Sequence, residues 1–129
     1  MSILSINGNR SMNILLQTVL AKRHKLILVS DAFQAMYQMK HHPDIDLIIV
    51  DMDYQTQENR DFIEHVQTSC LYAKPVIVLS SNKTDTEAGE SLTQYQVYTC
   101  FTKPFNPLEL VRCINELTEP VPVHIINKN

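Results

Sequence analysis

Short continuous apolar runs alternate with stretches of helical period five times along the chain. The first run, Ile3 to Ile6, leads through Asn7, Gly8 and Asn9 into a helix whose inner face is Met12, Leu15, Leu16, Val19 and Leu20. That spacing is the stripe of a helix packed on one side. The second run, Leu26 to Val29, meets Ser30 and Asp31, either of which can cap a helix with Ala32, Ala35, Met36 and Met39 inward. His41 and His42 fall in its last turn, where cationic side chains suit the helix dipole, and Pro43 stops it. The third run, Leu47 to Val50, ends directly on Asp51 and precedes a helix carrying Phe62, Ile63, Val66 and Cys70. Pro75 opens the fourth run, Val76 to Leu79. Thr84 and Glu87 then form a capping box for a weaker helix with Ala88, Leu92 and Tyr95 inward. The fifth run is Val97 to Phe101. Asn106, Pro107 and Glu109 supply a cap, a first-turn proline and an acid for a last helix burying Leu110, Val111, Ile114 and Leu117. Pro120 and Pro122 end it.

Strands that are apolar throughout, without polar alternation, are buried on both faces, which is the condition of a parallel sheet. Alternation with amphipathic helices and right-handed crossovers then predicts an α/β, doubly wound, five-stranded parallel sheet with helices on both faces. One domain is expected over residues 1–118, with residues 119–129 a C-terminal tail or the start of a linker.

Composition removes several function classes. With only two glycines, Gly8 and Gly89, no Gly-rich loop can bring backbone amides up to a phosphate, which sets aside P-loop and dinucleotide-binding readings. It also weighs against a flavodoxin-like small-molecule binder. A net charge of −3 carries no electrostatic footprint for nucleic acid. The apolar runs are too short to span a bilayer, so no membrane partner is expected. No basic segment followed by an apolar stretch opens the chain, and no secretory signal is expected. Cys70, Cys100 and Cys113 are odd in number and widely spaced, fitting neither a disulfide framework nor a zinc site and pointing to a reducing, cytoplasmic location. His24, His65 and His124 are scattered, the methionines at helical spacing read as core filling, and Cys100 reads as a plain buried thiol.

Function in an open parallel sheet gathers beyond the carboxyl ends of the strands. Asn7 and Gly8 follow the first strand, Asp51 the third, Ser80 the fourth and Lys103 the fifth. A carboxylate ending an apolar strand needs a partner or a function, and a direct Asp51–Lys103 ion pair is expected.

The segments Asp46-Leu-Ile-Ile-Val-Asp51-Met, Pro75-Val-Ile-Val-Leu-Ser80-Ser and Phe101-Thr-Lys103-Pro-Phe105, with Ser30-Asp31 and Ala35-Met36, resemble the response-regulator receiver family over residues 1 to 118. The resemblance implies a flavodoxin-like strand order 2-1-3-4-5. It implies that Asp51 is the phosphoacceptor, forming an acyl phosphate. Ser80 and Lys103 would contact the phosphoryl group, and the Lys103–Pro104 bond would be cis. It also implies protein partners, a histidine kinase or a downstream effector.

The chain departs from that family around this site. The adjacent acids that hold Mg²⁺ are here Asn7 and Gly8, one neutral oxygen and one bare backbone. Asp53 stands where the family contributes a backbone carbonyl. No resident cofactor is therefore expected, with at most weak Mg²⁺ binding through Asp51 and Asp53. The aromatic switch position is Cys100, whose face of the strand Tyr98 shares while Phe101 lies opposite. Gln55 stands for a proline, and Asn59 for a glycine, where Asn can still adopt the left-handed conformation. The leading expectation is a two-component pseudo-receiver that signals by protein–protein interaction with weak or no phosphorylation. The competing one is a conventional receiver phosphorylated on Asp51, whose enzymatic repertoire is at most phosphoryl acceptance and autodephosphorylation. A homodimer through the face of Tyr95 and Tyr98 is a further expectation.

Overall fold

The structure is a computed structural model that describes residues 1–69, 74–81 and 99–118. Five strands form one parallel sheet: β1 (Ser2–Ile6), β2 (Lys25–Val29), β3 (Ile45–Asp51), β4 (Val76–Ser80) and β5 (Thr99–Thr102), in the order β2-β1-β3-β4-β5. Four helices are described: α1 (Arg10–Leu20), α2 (Ala32–His41), α3 (Thr56–Thr68) and α4 (Pro107–Thr118). The helix expected over Thr84 to Tyr95 lies outside the described residues, as do Cys70, Tyr98 and the expected tail.

The absence of polar alternation in the strands has the expected cause, since each face of the sheet is covered. Leu4, Ile6, Ile48, Val50, Val76 and Val78 point to one side and pack with Ala35 and Met39 of α2 and Phe62, Ile63 and Val66 of α3. Ile3, Leu47, Ile49, Ile77 and Leu79 point to the other and pack with Leu16 and Leu20 of α1 and Leu110 and Ile114 of α4. Successive residues of one strand thus feed two cores, the consequence of a two-residue side-chain period.

The caps expected at Asp31 and Asn106 are made, and Asn9, read only as a loop residue, proves to be a third. Asn9 accepts from the Ser11 and Met12 amides at the start of α1, and Asp31 accepts from the Gln34 amide at the start of α2. Asn106 accepts from the Leu108 amide before α4. Each satisfies donors that the first turn of a helix leaves without intrahelical partners. Among the described residues, no helix is long and apolar enough to cross a membrane.

Candidate functional site

Register brings the polar strand ends together. Asp51 closes β3 opposite Leu79, so Ser80 stands one step further along β4, and Ser80 pairs in turn with Thr102, the residue before Lys103. The Lys103 amide then donates to the Ser80 carbonyl at 2.9 Å. The Lys103–Pro104 peptide is cis. Asp51, Ser80 and Lys103 therefore meet at one rim, with Asn7 beyond the end of β1, where Ile6 pairs with Val50.

The expected ion pair is formed. Lys103 Nζ lies 2.6 Å from Asp51 Oδ2, and Asp51 is only 1% exposed. The remaining acceptors of Asp51 are also used: Oδ1 takes the Asp53 amide at 2.9 Å, and the backbone carbonyl takes the Asn59 side-chain amide at 2.9 Å. Ser80 is fully buried.

Two neighbours complete the site that periodicity and spacing did not single out for this role. Asp53 Oδ2 lies 2.9 Å from the same Lys103 ammonium, so one cation is shared by two carboxylates. Asp53 in turn accepts from the Ser81 amide at 2.8 Å and the Ser81 hydroxyl at 2.7 Å. Partial burial opposes ionisation of Asp53, but the Ser81 amide, the Lys103 ammonium and the Ser81 hydroxyl outweigh it and hold its carboxyl below the usual range. Burial likewise works against the Lys103 ammonium, while its hydrogen bonds to Asp51 and Asp53 carry it above the ordinary lysine range.

At the metal-ligand positions implied by the resemblance, Asn7 is 3% exposed and its Oδ1 accepts from the Asn9 amide at 2.7 Å. Gly8 faces the Tyr54 ring, which a β-carbon there would meet at 3.6 to 3.9 Å. Asn9 Nδ2 reaches the hydroxyl of the half-exposed Tyr54 at 3.4 Å, while Gly8 itself is exposed. Among the described residues, no cluster of three or more His, Cys, Asp or Glu side chains is grouped as a metal site.

The loop after β3 takes its left-handed residue elsewhere than at the position where the family has glycine. Asn59 is not left-handed: it lies inside α3, buried, and donates to the carbonyls of Asp51 and Tyr54. The left-handed residue is Gln55, at φ 49° and ψ 51°. The sharp turn is taken before the helix, because the Asn59 amide can grip both carbonyls only from the first turn of α3. Cys100 is half-buried against the core beneath α2 and α3, while Phe101 packs on the opposite core, as alternation required.

Comparison with known proteins agrees with this architecture. No curated protein sequence matches the chain. Among solved structures, the chemotaxis response regulator CheY4 of Vibrio cholerae superposes with a TM-score of 0.78 at 18% identity, covering 90% of this chain and 97% of that one. The signal receiver domain of a DNA-binding response regulator from Colwellia psychrerythraea 34H gives 0.77 at 21% identity, covering 93% and 99%. The Mn²⁺-bound form of the response regulator Rcp1 gives 0.70 at 20% identity, covering 94% and 98%. At such identities these neighbours speak for the fold. The sequence profile of the response regulator receiver domain matches residues 3–115. With that match spanning most of the chain, and with the strand order, the rim of Asp51, Ser80 and Lys103 and the two-sided core in agreement, the chain belongs to the response regulator receiver domain family.

Proposed function

We propose that this receiver acts as a protein-interaction module whose signal does not depend on phosphorylation of Asp51. The observation that carries the reading is the Lys103 ammonium bridging Asp51 and Asp53 at 2.6 and 2.9 Å. In the family resemblance Asp51 attacks a phosphoryl group, Ser80 and Lys103 contact it, and a divalent cation neutralises the developing charge. The donors here do not fit that cation. Asn7 spends its side-chain oxygen on the Asn9 amide, Gly8 has no side chain, and both Asp51 and Asp53 are engaged by Lys103. An acyl phosphate would add negative charge to a rim where one lysine already serves two carboxylates. Losing one electrostatic element of this kind costs on the order of a hundred- to a thousandfold in rate. The partner is a protein, either a kinase of the same signalling system or a downstream effector.

The test is incubation with acetyl phosphate, or with beryllofluoride, in the presence of Mg²⁺. Mass, amide spectra and association state are expected to stay unchanged. Efficient Mg²⁺-dependent labelling of the unmodified chain, abolished by Asp51→Asn, would overturn the proposal and establish the conventional receiver. The converse variant, Asn7→Asp with Gly8→Asp, is expected to gain Mg²⁺ binding by calorimetry, because it adds two anionic ligands beside Asp51.

A further inference from the structure

We propose that the groove between α2 and α3 is a docking site for a basic amphipathic helix of a protein partner. The groove has a volume of about 370 Å³ and opens on the face of the sheet that carries these two helices. Its floor is Phe62, 4% exposed and part of the core, and its α2 wall is Met36, which packs against the same core. Over it stands Phe33, 84% exposed in the first turn of α2. A single exposed aromatic is ordinary on a protein surface. An aromatic standing over a concave apolar floor continuous with the core is an anchor with a pocket beside it, the arrangement of an interface centre.

Charge chooses the occupant. The α3 wall carries Glu58 and Asp61, three residues apart and both exposed, so they form one acidic edge. The neighbouring Gln57 amide donates to Asp61 at 2.9 Å and leaves that charge in place. Of the other titratable groups on these helices, His65 lines the groove beside Asp61, whereas Arg60, Lys40 and His41 are not among its lining residues. A helix laid here would bury apolar residues spaced over two turns against Phe33, Met36 and Phe62, and would place Lys or Arg along the Glu58–Asp61 edge. Such rim pairs add little affinity each but set orientation and reject acidic helices.

The inference rests on the interaction-module reading and says where the partner sits. α3 links the two places, since Asn59 in its first turn holds the Asp51 carbonyl while Phe62, on the next turn, floors the groove.

The experiment titrates the full chain, isotopically labelled and without Mg²⁺ or phosphoryl donor, with a synthetic helix of leucines at amphipathic spacing flanked by lysines. A glutamate-flanked counterpart and a scrambled lysine peptide are the comparisons. The lysine peptide is expected to shift amide signals of α2 and α3. Phe33→Ala should weaken it about tenfold, and Glu58→Lys with Asp61→Lys should reverse the preference between the two charge types. Phe33, Glu58 and Asp61 are all exposed, so the variants keep the fold, which thermal melts verify. Equal binding of the lysine and glutamate peptides, shifts confined to other faces, or no binding at about millimolar peptide would overturn the proposal. So would dilution shifts at α2 and α3 in the free protein, which would assign the groove to a second copy. Any of these would leave the phosphorylation-independent reading standing, since that is judged separately by the acetyl phosphate experiment.

Discussion

Replacing Lys103 by Met removes the shared cation while keeping an apolar stem of similar length, so packing of the lysine methylenes is largely preserved. Asp51 Oδ2 then has no hydrogen-bond donor in a place where the residue is 1% exposed, although Oδ1 keeps the Asp53 amide. Asp53 fares better, because the Ser81 amide and hydroxyl remain and its side chain is 23% exposed. The two Oδ2 atoms both touched one nitrogen, at 2.6 and 2.9 Å, so they are left close together as unshielded like charges. Breaking a buried pair by removing one partner costs about 3–5 kcal/mol. The surviving donor to Asp51 and the partial exposure of Asp53 place this case at the lower end, at about 3 kcal/mol near neutral pH. Against a total stability of roughly 5–15 kcal/mol that is a large effect.

A urea unfolding series near neutral pH reads this loss as a lower midpoint. In the wild-type chain Asp53, whose folded pKa is lowered below 3.8, loses its stabilising contribution as the pH drops through it. Adding Asp51→Asn to the Met variant removes the stranded charge and should recover about 2 kcal/mol, a coupling that a double-mutant cycle reads directly. A loss under about 1 kcal/mol, or an added Asp51→Asn that recovers none of it, would refute the reasoning.

Asn59→Ala leaves the Asp51 and Tyr54 carbonyls without the side-chain amide that joins them, and should cost about 2–3 kcal/mol by urea midpoint. Lys103, raised above its ordinary 10.5 by its two carboxylates, contributes stability that is complete below 10.5 and disappears as pH rises through the folded value. The decline in stability above pH 10.5 should accordingly be smaller in Lys103→Met than in the wild-type chain, and an equal decline in both would contradict the pairing. His24, whose pKa is lowered from 6.5 by burial and then by the N-terminus and Arg23, is favoured neutral in the fold. Stability should therefore decline as pH falls below 6.5, and His24→Asn should flatten that decline in midpoints measured between pH 7.5 and pH 5.

The fold was legible because each local signal agreed with the others. Ile48 and Val50 serve one core, Leu47 and Ile49 the other, so β3 had to read as an unbroken apolar run. Asp31 and Asn106 cap helices through backbone amides within three residues of themselves, which makes a cap a local and readable event. The Asp51–Lys103 pair was legible for a related reason: strand ends in a parallel sheet lie side by side, so residues just past them meet whatever the loops do. Asp53 and Ser81 sit one step further out, where contact depends on how two loops bend, and no periodicity encodes that. The role of Asn59 was not legible for the same cause. Its amide grips two carbonyls, five and eight residues back, and the left-handed residue is Gln55. Phe33 escaped notice because a search for inner helix faces passes over an aromatic on the outer one.

The neutral residues at 7 and 8 and the double engagement of Lys103 belong to one electrostatic arrangement. Asp51 and Asp53 carry two negative charges, and a divalent cation drawn from solution would have to displace the ammonium from both. Lys103 is tethered to the rim by its own backbone, whose amide is fixed on the Ser80 carbonyl, so it meets the carboxylates without the translational entropy loss that a free ion incurs. Two further acids beside Asp51 would tilt that competition toward the dication, whose hard charge favours several anionic oxygens at once. On the proposed reading, with Asn7 Oδ1 accepting from the Asn9 amide and Gly8 offering only backbone beside Tyr54, positions 7 and 8 supply no such oxygens and the intramolecular cation keeps its place. By the same proposal, two carboxylates that already share one ammonium gain less from a metal or a phosphoryl group than free carboxylates would. On this reading the signal is carried by which partner surface reaches α2 and α3, with the carboxylate–lysine bridge holding α3 in position through Asn59.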